Sequence, residues 1–413
     1  MMLDISGSLL ALTALLAYVN RKFIGLPPMI GVMGIALLLS AALLLMEALG
    51  FGMLRNMEAS ILKSINFSEV LMQGMLSVLL FAGAMHVDLS ELKAYRWQVA
   101  ALAVLGTTAS MLIVGFGLWF LFPLAGMALP LSYCLLFGAL IAPTDPIAVT
   151  GILKSAGAPE SLEIVISGES LFNDGVGIVL FSLAAGMIGS DSAPSLSHGA
   201  ALLLREAGGG IALGLVTGYA AYVLLKTLDS YHEEVLITLA AVIGGYALAN
   251  RMHVSGPLAM VVVGLIIGNH GRQRAMSDQT RRSVDMFWEL LDSIFNAALF
   301  VLIGLEAILI SFTRERMLVG LGVIMLTLAA RWLTIGVPIA LLRQHAGLPQ
   351  GAWQVLTWGG LRGGISVALA LSLPAGTERD IVVTMTYIVV VFSILVQGLS
   401  IGRVVRRLVP CDK

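Results

Sequence analysis

The chain has 413 residues, of which 58% are hydrophobic and only 12% charged, and its formal net charge is -1. This composition excludes a soluble globular protein and predicts an all-α, polytopic membrane protein embedded in a lipid bilayer. The net charge itself is uninformative, because the placement of Lys and Arg carries the information in membrane proteins. The two cysteines, Cys134 and Cys411, do not suggest a disulfide framework.

The first apolar segment, Met1 to Val19, has no positively charged start and no small-residue cleavage site. We therefore interpret it as a transmembrane helix and not as a removable signal peptide. In all, about thirteen segments are apolar and long enough to span a bilayer as helices. They comprise residues 3–19, 26–49, 67–87, 97–121, 130–153, 163–188, 200–225, 235–250, 255–269, 287–310, 317–342, 351–373 and 381–405.

The distribution of basic residues predicts the orientation. With thirteen spans, fifteen of the 24 Lys and Arg residues lie on the side of the C-terminus and seven on the other side. The remaining two, Arg331 and Arg362, lie within predicted helices. Because short cytoplasmic loops are enriched in Lys and Arg, we expect a cytoplasmic C-terminus, with a short tail at 408–413, and an external N-terminus.

The fifth segment contains an interruption at residues 142–146, Ala-Pro-Thr-Asp-Pro. Its two prolines remove backbone donors and free the carbonyls of Ala139 and Ala142. A carboxylate from Asp145, the hydroxyl of Thr144 and free carbonyls would form a hard-oxygen site suited to an alkali cation. The alternative is a proline kink whose acid is satisfied by a neighbouring helix.

The twelfth segment contains a second interruption at residues 359–364, Gly-Gly-Leu-Arg-Gly-Gly. The glycines weaken the helix and permit close backbone approach around Arg362. Paired interruptions in two halves predict inverted repeats, here 1–190 and 232–407 joined by a connecting helix at 198–228, with the broken helices crossing at the membrane midplane. Glycine could instead serve only close helix packing.

The sixth segment contains residues 168–175, Gly-Glu-Ser-Leu-Phe-Asn-Asp-Gly. Spacing of four residues places Glu169 with Asn173 on one row of the helix and Ser170 with Asp174 on an adjacent row. Acidic residues at membrane depth are costly and usually mark ion or proton pathways. We expect Asp174 and Ser170 to face an ion. For Glu169 we favour a structural ion pair with one of two buried arginines, Arg331 or Arg362.

Further acids recur along the tenth segment, where Asp285, Glu289 and Asp292 have the helical spacing of an acidic entry path. The sequence has no recognisable metal-ligand cluster, nucleotide-binding loop or nucleic-acid signature. We therefore expect no cofactor and no nucleic-acid partner.

At these three motifs the chain resembles the NhaP-type sodium/proton antiporters, which are relatives of the animal Na+/H+ exchangers. Residues 256–260, Gly-Pro-Leu-Ala-Met, and 300–306, Phe-Val-Leu-Ile-Gly-Leu-Glu, extend the resemblance over the whole chain. It implies thirteen helices, a homodimer and a core domain that moves against the dimer interface. It also implies an antiporter of the prokaryotic inner membrane, active in pH homeostasis and without enzymatic activity.

The resemblance further implies the roles of individual residues. Asp174 matches the carboxylate that binds sodium or protons alternately, and Asn173 matches the neutral residue that accompanies electroneutral one-for-one exchange of Na+ or Li+ for H+. The implied sodium ligands are Asp174, Asp145, Ser170 and Thr144. Glu169 with Arg331 or Arg362 matches the stabilising ion pairs. One departure is Ala82, where archaeal members carry a glutamate.

Other functions remain open on the sequence. A channel would need a filter of repeated carbonyls or charged rings, which is not evident. An organic-solute symporter would need more polar side chains at the broken helices, and an intramembrane aspartyl protease would not need the paired breaks. A K+/H+ antiporter of the same fold is the nearest alternative.

Overall fold

The computed structural model of the protein describes residues 2–49, 74–188, 201–202, 204–272, 275–307, 313–340 and 348–409. Within these ranges the chain is helical with irregular connections and has no strand. The predicted start of the third segment, residues 67–73, lies outside the described residues. So do five of the basic residues used to predict orientation, namely Arg55, Lys63, Arg274, Arg343 and Lys413.

Sixteen helices, numbered in chain order, make up most of the described part of the chain, and a π-helical turn at Asn20–Ile24 continues the first of them. They are α1 (Met2–Val19), α2 (Pro28–Ala48), α3 (Leu76–Met85), α4 (Leu89–Ala94), α5 (Arg96–Leu124), α6 (Leu131–Ile141), α7 (Pro146–Ala156), α8 (Glu160–Gly186), α9 (Leu204–Lys226), α10 (Tyr231–Met252), α11 (Gly256–Gly271), α12 (Asp278–Glu306), α13 (Arg314–Ala340), α14 (Ala352–Trp358), α15 (Gly364–Leu371) and α16 (Thr377–Leu408).

Eight of these helices are long and apolar enough to cross a membrane, which agrees with the predicted polytopic class: α2, α5, α8, α9, α10, α12, α13 and α16. Helices α3, α6 and α11 are shorter and apolar. The count of thirteen spans stays a prediction. Helix α12 begins well before its predicted start at 287, because the polar residues after Ser277 continue the helix and the Ser277 hydroxyl caps it by accepting from the Thr280 N–H.

The fifth predicted segment is interrupted where its prolines lie. Helix α6 ends at Ile141, residues 143–145 have no regular structure, and α7 begins at Pro146. Proline at a first helical position costs little, since its missing N–H would have no partner inside the helix. The Pro-Thr-Asp-Pro sequence therefore stops one helix and starts the next within four residues.

The twelfth predicted segment is interrupted in the same manner between α14 and α15, at residues 359–363. Helix α16 satisfies main-chain groups of this break through side chains on its own π-helical turn. The Ser393 hydroxyl accepts from the Arg362 N–H at 2.9 Å, and the Gln397 amide donates to the Trp358 carbonyl at 2.9 Å. Unwound backbone is tolerated in an apolar interior only when such partners are available.

The helices pack as two groups. The site bundle consists of α5 to α8 and α13 to α16, and the flanking bundle consists of α1 to α3 and α9 to α12; the short helix α4 contacts α8 and is counted in neither. Helix α8, which has the largest buried share of the eight long apolar helices, joins the two through contacts with α3 and α11. Both breaks therefore belong to the site bundle.

Candidate cation-binding site

Three hydrogen bonds connect the break between α6 and α7 to α8. The Thr144 N–H donates to Oδ1 of Asn173 at 3.2 Å, and Nδ2 of Asn173 donates to the Thr144 hydroxyl at 3.0 Å. That hydroxyl also shares a hydrogen bond of 2.9 Å with the hydroxyl of Ser170. Thr144, Ser170 and Asn173 are each at most 1% exposed. The unwound segment is thus held by side chains of the sixth predicted span.

The break also bonds directly to its counterpart. The Asp145 N–H donates to the Leu361 carbonyl at 2.8 Å. Arg362 donates from Nη1 to the Pro143 carbonyl at 2.8 Å and to the Ala142 carbonyl. The carbonyl of Ala142, which we expected Pro146 to free for a cation, is therefore occupied by a guanidinium group.

Glu169 forms a bidentate ion pair with Arg331, one of the two arginines that the sequence offered as its partner. Both Nη atoms of Arg331 lie 2.8 Å from the two carboxylate oxygens of Glu169, and neither residue is more than 5% exposed. Nδ2 of Asn173 donates to the same carboxylate at 2.7 Å. Arg331 also reaches the Leu356 carbonyl of α14 at 3.3 Å. The pair therefore links α8, α13 and α14.

Two glycines of the second break make room for these charged groups. A Cβ atom at Gly363 would lie 2.7 Å from Oδ2 of Asp145, and one at Gly360 would lie 2.6 Å from Nε of Arg331. Real Cβ atoms essentially never lie closer than 3.0 Å to a non-bonded heavy atom. The glycines thus permit the close approach that the sequence predicted, and they do so against side chains of the other break and of α13.

A cavity of about 60 Å³, here called the central cavity, lies between the two breaks, α8 and α12. This volume is enough for a few water molecules. Its polar lining consists of Thr144, Asp145, Asp174, Asn296 and Ser366. Asp174 is 7% exposed and Asp145 is half-buried. Two carboxylates, two hydroxyls and an amide form an oxygen-rich set of the kind that hard cations prefer.

A second cavity of about 350 Å³, here called the vestibule, has Gly83 and Leu171 in common with the central cavity. Its charged lining is mainly acidic, with Asp88, Glu91, Glu160, Glu163 and Asp292 against a single lysine, Lys154. The Ser90 hydroxyl and N–H, which donate to the Asp88 carboxylate, hold the pKa of Asp88 below its usual range. A concave acidic surface raises the local concentration of cations.

The central cavity includes three of the five residues expected to bind cation or proton: Asp174, Asp145 and Thr144. Ser170 and Asn173 do not line this cavity and instead form hydrogen bonds with the Thr144 side chain. Sequence reasoning missed Asn296, whose only signal was its position four residues after Asp292 in an apolar run, and did not assign Ser366. Of the predicted entry path, Asp292 lines the vestibule, whereas Asp285 pairs with Arg272 at 2.6 Å and Glu289 is exposed.

A chain whose described residues form helices, with paired helix breaks around buried carboxylates, has the architecture of a membrane ion transporter. The sequence matches the model of the family described as "Sodium/hydrogen exchanger, transmembrane" over residues 10–407. The chain therefore belongs to the sodium/hydrogen exchanger family and is an integral membrane protein.

Individual relatives agree with this assignment. The chain is 53% identical to the Na(+)/H(+) antiporter NhaP of Pseudomonas aeruginosa, over 98% of this chain and 97% of that protein. It is 33% identical to the Na(+)/H(+) antiporter NhaH of Halobacillus dabanensis, over 86% and 87% of the two chains. Its fold matches the sodium proton antiporter MjNhaP1 from Methanocaldococcus jannaschii with a TM-score of 0.76, 21% identity and coverage of 98% and 99%.

Proposed function

We propose that the protein is a secondary active antiporter that exchanges Na+, and also Li+, for H+ by alternating access. The observation that carries this proposal is the contrast between two buried carboxylates of α8. Glu169 is neutralised by Arg331, whereas Asp174 lines an oxygen-rich cavity next to an acidic vestibule. The names of the relatives from Pseudomonas aeruginosa and Halobacillus dabanensis support sodium and protons as the substrates.

The proposed mechanism follows from the charge of the central cavity. A carboxylate at Asp174 that leaves water is stable only when a cation or a proton neutralises it. The site bundle can then cross an apolar barrier with either ion bound but not when it is empty and charged. This restriction couples the two fluxes. Because Asn173 is neutral and its amide is engaged by Thr144 and Glu169, one charge at Asp174 would exchange one cation for one proton.

We further propose the architecture in which this cycle operates. Counting each broken pair as one span and leaving out the short helix α4 gives thirteen spans, with inverted repeats at 1–190 and 232–407 about the connecting segment 198–228. The site bundle would move against the flanking bundle, which would also form a homodimer. The vestibule would face the cytoplasm, since Lys154, which lines it, belongs to a predicted cytoplasmic loop. The protein would lie in a prokaryotic inner membrane, contribute to pH homeostasis and need no cofactor.

Counterflow in proteoliposomes tests the proposal. The purified protein is reconstituted with a pH-sensitive dye inside, and Na+, Li+ or K+ is added separately to the outside at fixed pH. We expect Na+ and Li+ to drive proton movement in the opposite direction and K+ to have little effect. Proton movement driven by K+ alone would establish the potassium/proton alternative, and no cation-driven movement would refute antiport.

A further inference from the structure

Asn296 is the polar group that the flanking bundle contributes to the central cavity. It lies in the apolar half of α12, is 2% exposed, and lines the cavity together with Thr144, Asp145 and Asp174 of the site bundle. A buried amide in an apolar helix is costly unless its polar atoms have partners. Its placement at the ion site therefore calls for an explanation beyond packing.

The hydrogen bonds of Asn296 determine which way its amide faces. Nδ2 donates to the main-chain carbonyl of Asp292 at 2.9 Å and to Oδ1 of Asp292 at 3.0 Å. The main-chain carbonyl is an acceptor whatever the charge of Asp292, so the nitrogen of the amide must face it and the oxygen must face away. An amide oxygen is a good ligand for a hard cation.

Asp292 in turn lines the vestibule, beside Ala82 and Gly83 of α3. The pair of residues thus reaches from the vestibule into the central cavity along one helical turn of α12. The side chain of Ala82 offers no oxygen atom on this route. Asp292 and Asn296 are therefore placed where a cation leaving the vestibule would first exchange water for protein oxygens.

We infer that the side-chain oxygen of Asn296 is a cation ligand supplied by the flanking bundle, with Asp292 as the residue that positions it. This inference rests on the proposed function. Because the other polar side chains of the cavity belong to the site bundle, the Asn296 ligand is available only while the two bundles are arranged as in this structure. Asn296 therefore strengthens cation binding from the vestibule side and is left behind when the site bundle moves.

Sidedness is the property that a merely structural role would not produce. Everted and right-side-out membrane vesicles containing Asn296→Ala are compared for sodium-driven proton flux. We expect the apparent KM for Na+ to rise up to about tenfold from the vestibule side, as for the loss of one neutral polar contact, with little change in maximal rate or in KM from the opposite side. Gln279→Ala, which removes an exposed amide from the same helix, serves as the matched control.

Asp292→Ala and the double variant test the positioning role. At high ionic strength, which screens the field of the vestibule, Asp292→Ala should raise the same KM, and adding it to Asn296→Ala should change nothing further. An unchanged KM in Asn296→Ala, an equal change on both sides, or additive effects would each overturn the inference. If the wild-type vesicles themselves show no sodium-driven flux, the proposed antiport is what fails.

Discussion

The main-chain N–H of Asp145 donates to the carbonyl of Leu361, so the two interrupted helices are joined to each other at their breaks. The bond connects a residue that lines the central cavity to the glycine-rich segment some two hundred residues later in the sequence. The position of the Asp145 carboxylate therefore depends on both breaks.

The first prediction concerns Asp174. Replacement by Asn should abolish sodium-driven proton flux, because it removes both the negative charge that balances a cation and the group that accepts a proton. The variant should insert in the membrane and melt in detergent near the wild-type temperature, since Asp174 takes part in no described ion pair. Flux is measured in proteoliposomes, with the exposed residue Asp278→Asn as control. If sodium-driven proton movement persists in Asp174→Asn, Asp174 is not the residue that binds the cation and the proton.

The second prediction concerns the pair of Glu169 and Arg331. Glu169→Ala leaves a buried guanidinium without its carboxylate, and the loss of one partner of a buried pair typically costs about 3 to 5 kcal/mol. We expect a clearly lower melting temperature in detergent, whereas Glu315→Ala, at the exposed start of α13, should melt like the wild type. A normal melting temperature together with lost transport would contradict the structural role of Glu169 and indicate that it belongs to the binding site.

The third prediction concerns Gly363. Gly363→Ala adds a Cβ atom 2.7 Å from Oδ2 of Asp145, so the carboxylate must move and the apparent affinity for sodium should fall. The backbone at Gly363 has φ of -108°, which alanine adopts without strain, so the contact alone is tested. Gly151→Ala in α7 is the control, because nothing lies within 4 Å of its added atom. Equal sodium affinity in the two variants would contradict the described approach of Gly363 to Asp145.

The fourth prediction concerns stoichiometry and pH. If one cation and one proton compete for a single charge at Asp174, the apparent KM for sodium should rise as the pH falls. The equilibrium sodium gradient should not depend on voltage, whereas an extra net charge per cycle would add about 2.3 kcal/mol per 100 mV. Proteoliposomes clamped with potassium and valinomycin allow both measurements. A voltage-dependent equilibrium at a fixed pH gradient would indicate a second titrating group, with Asp145 as the first candidate.

The sequence could predict those features that arise locally. Prolines at 143 and 146 interrupt a helix whatever surrounds them, and glycines on both sides of Arg362 weaken a helix. Both predicted breaks therefore lie where the structure has them. The row spacing of α8 likewise follows from helical geometry alone. These features were enough to indicate a membrane ion transporter.

Other features depend on packing between distant elements and could not be read from the chain. Two buried arginines were equally plausible partners for Glu169, and the choice of Arg331 depends on where α13 places its guanidinium group relative to the Glu169 carboxylate. The carbonyl of Ala142, which Pro146 frees, was expected to face a cation, but Arg362 donates to it from the other break. The position of Asn296 at the cavity could not be predicted because its helix belongs to the other bundle.

The acidic lining of the vestibule has a consequence for selectivity between the two substrates. Sodium and proton carry the same charge, so a negative electrostatic potential multiplies the local activities of both by the same Boltzmann factor. Their ratio at the mouth of the central cavity then equals the ratio in bulk solution. The vestibule can speed delivery without favouring either ion, and discrimination between them is left to the oxygens around Asp174.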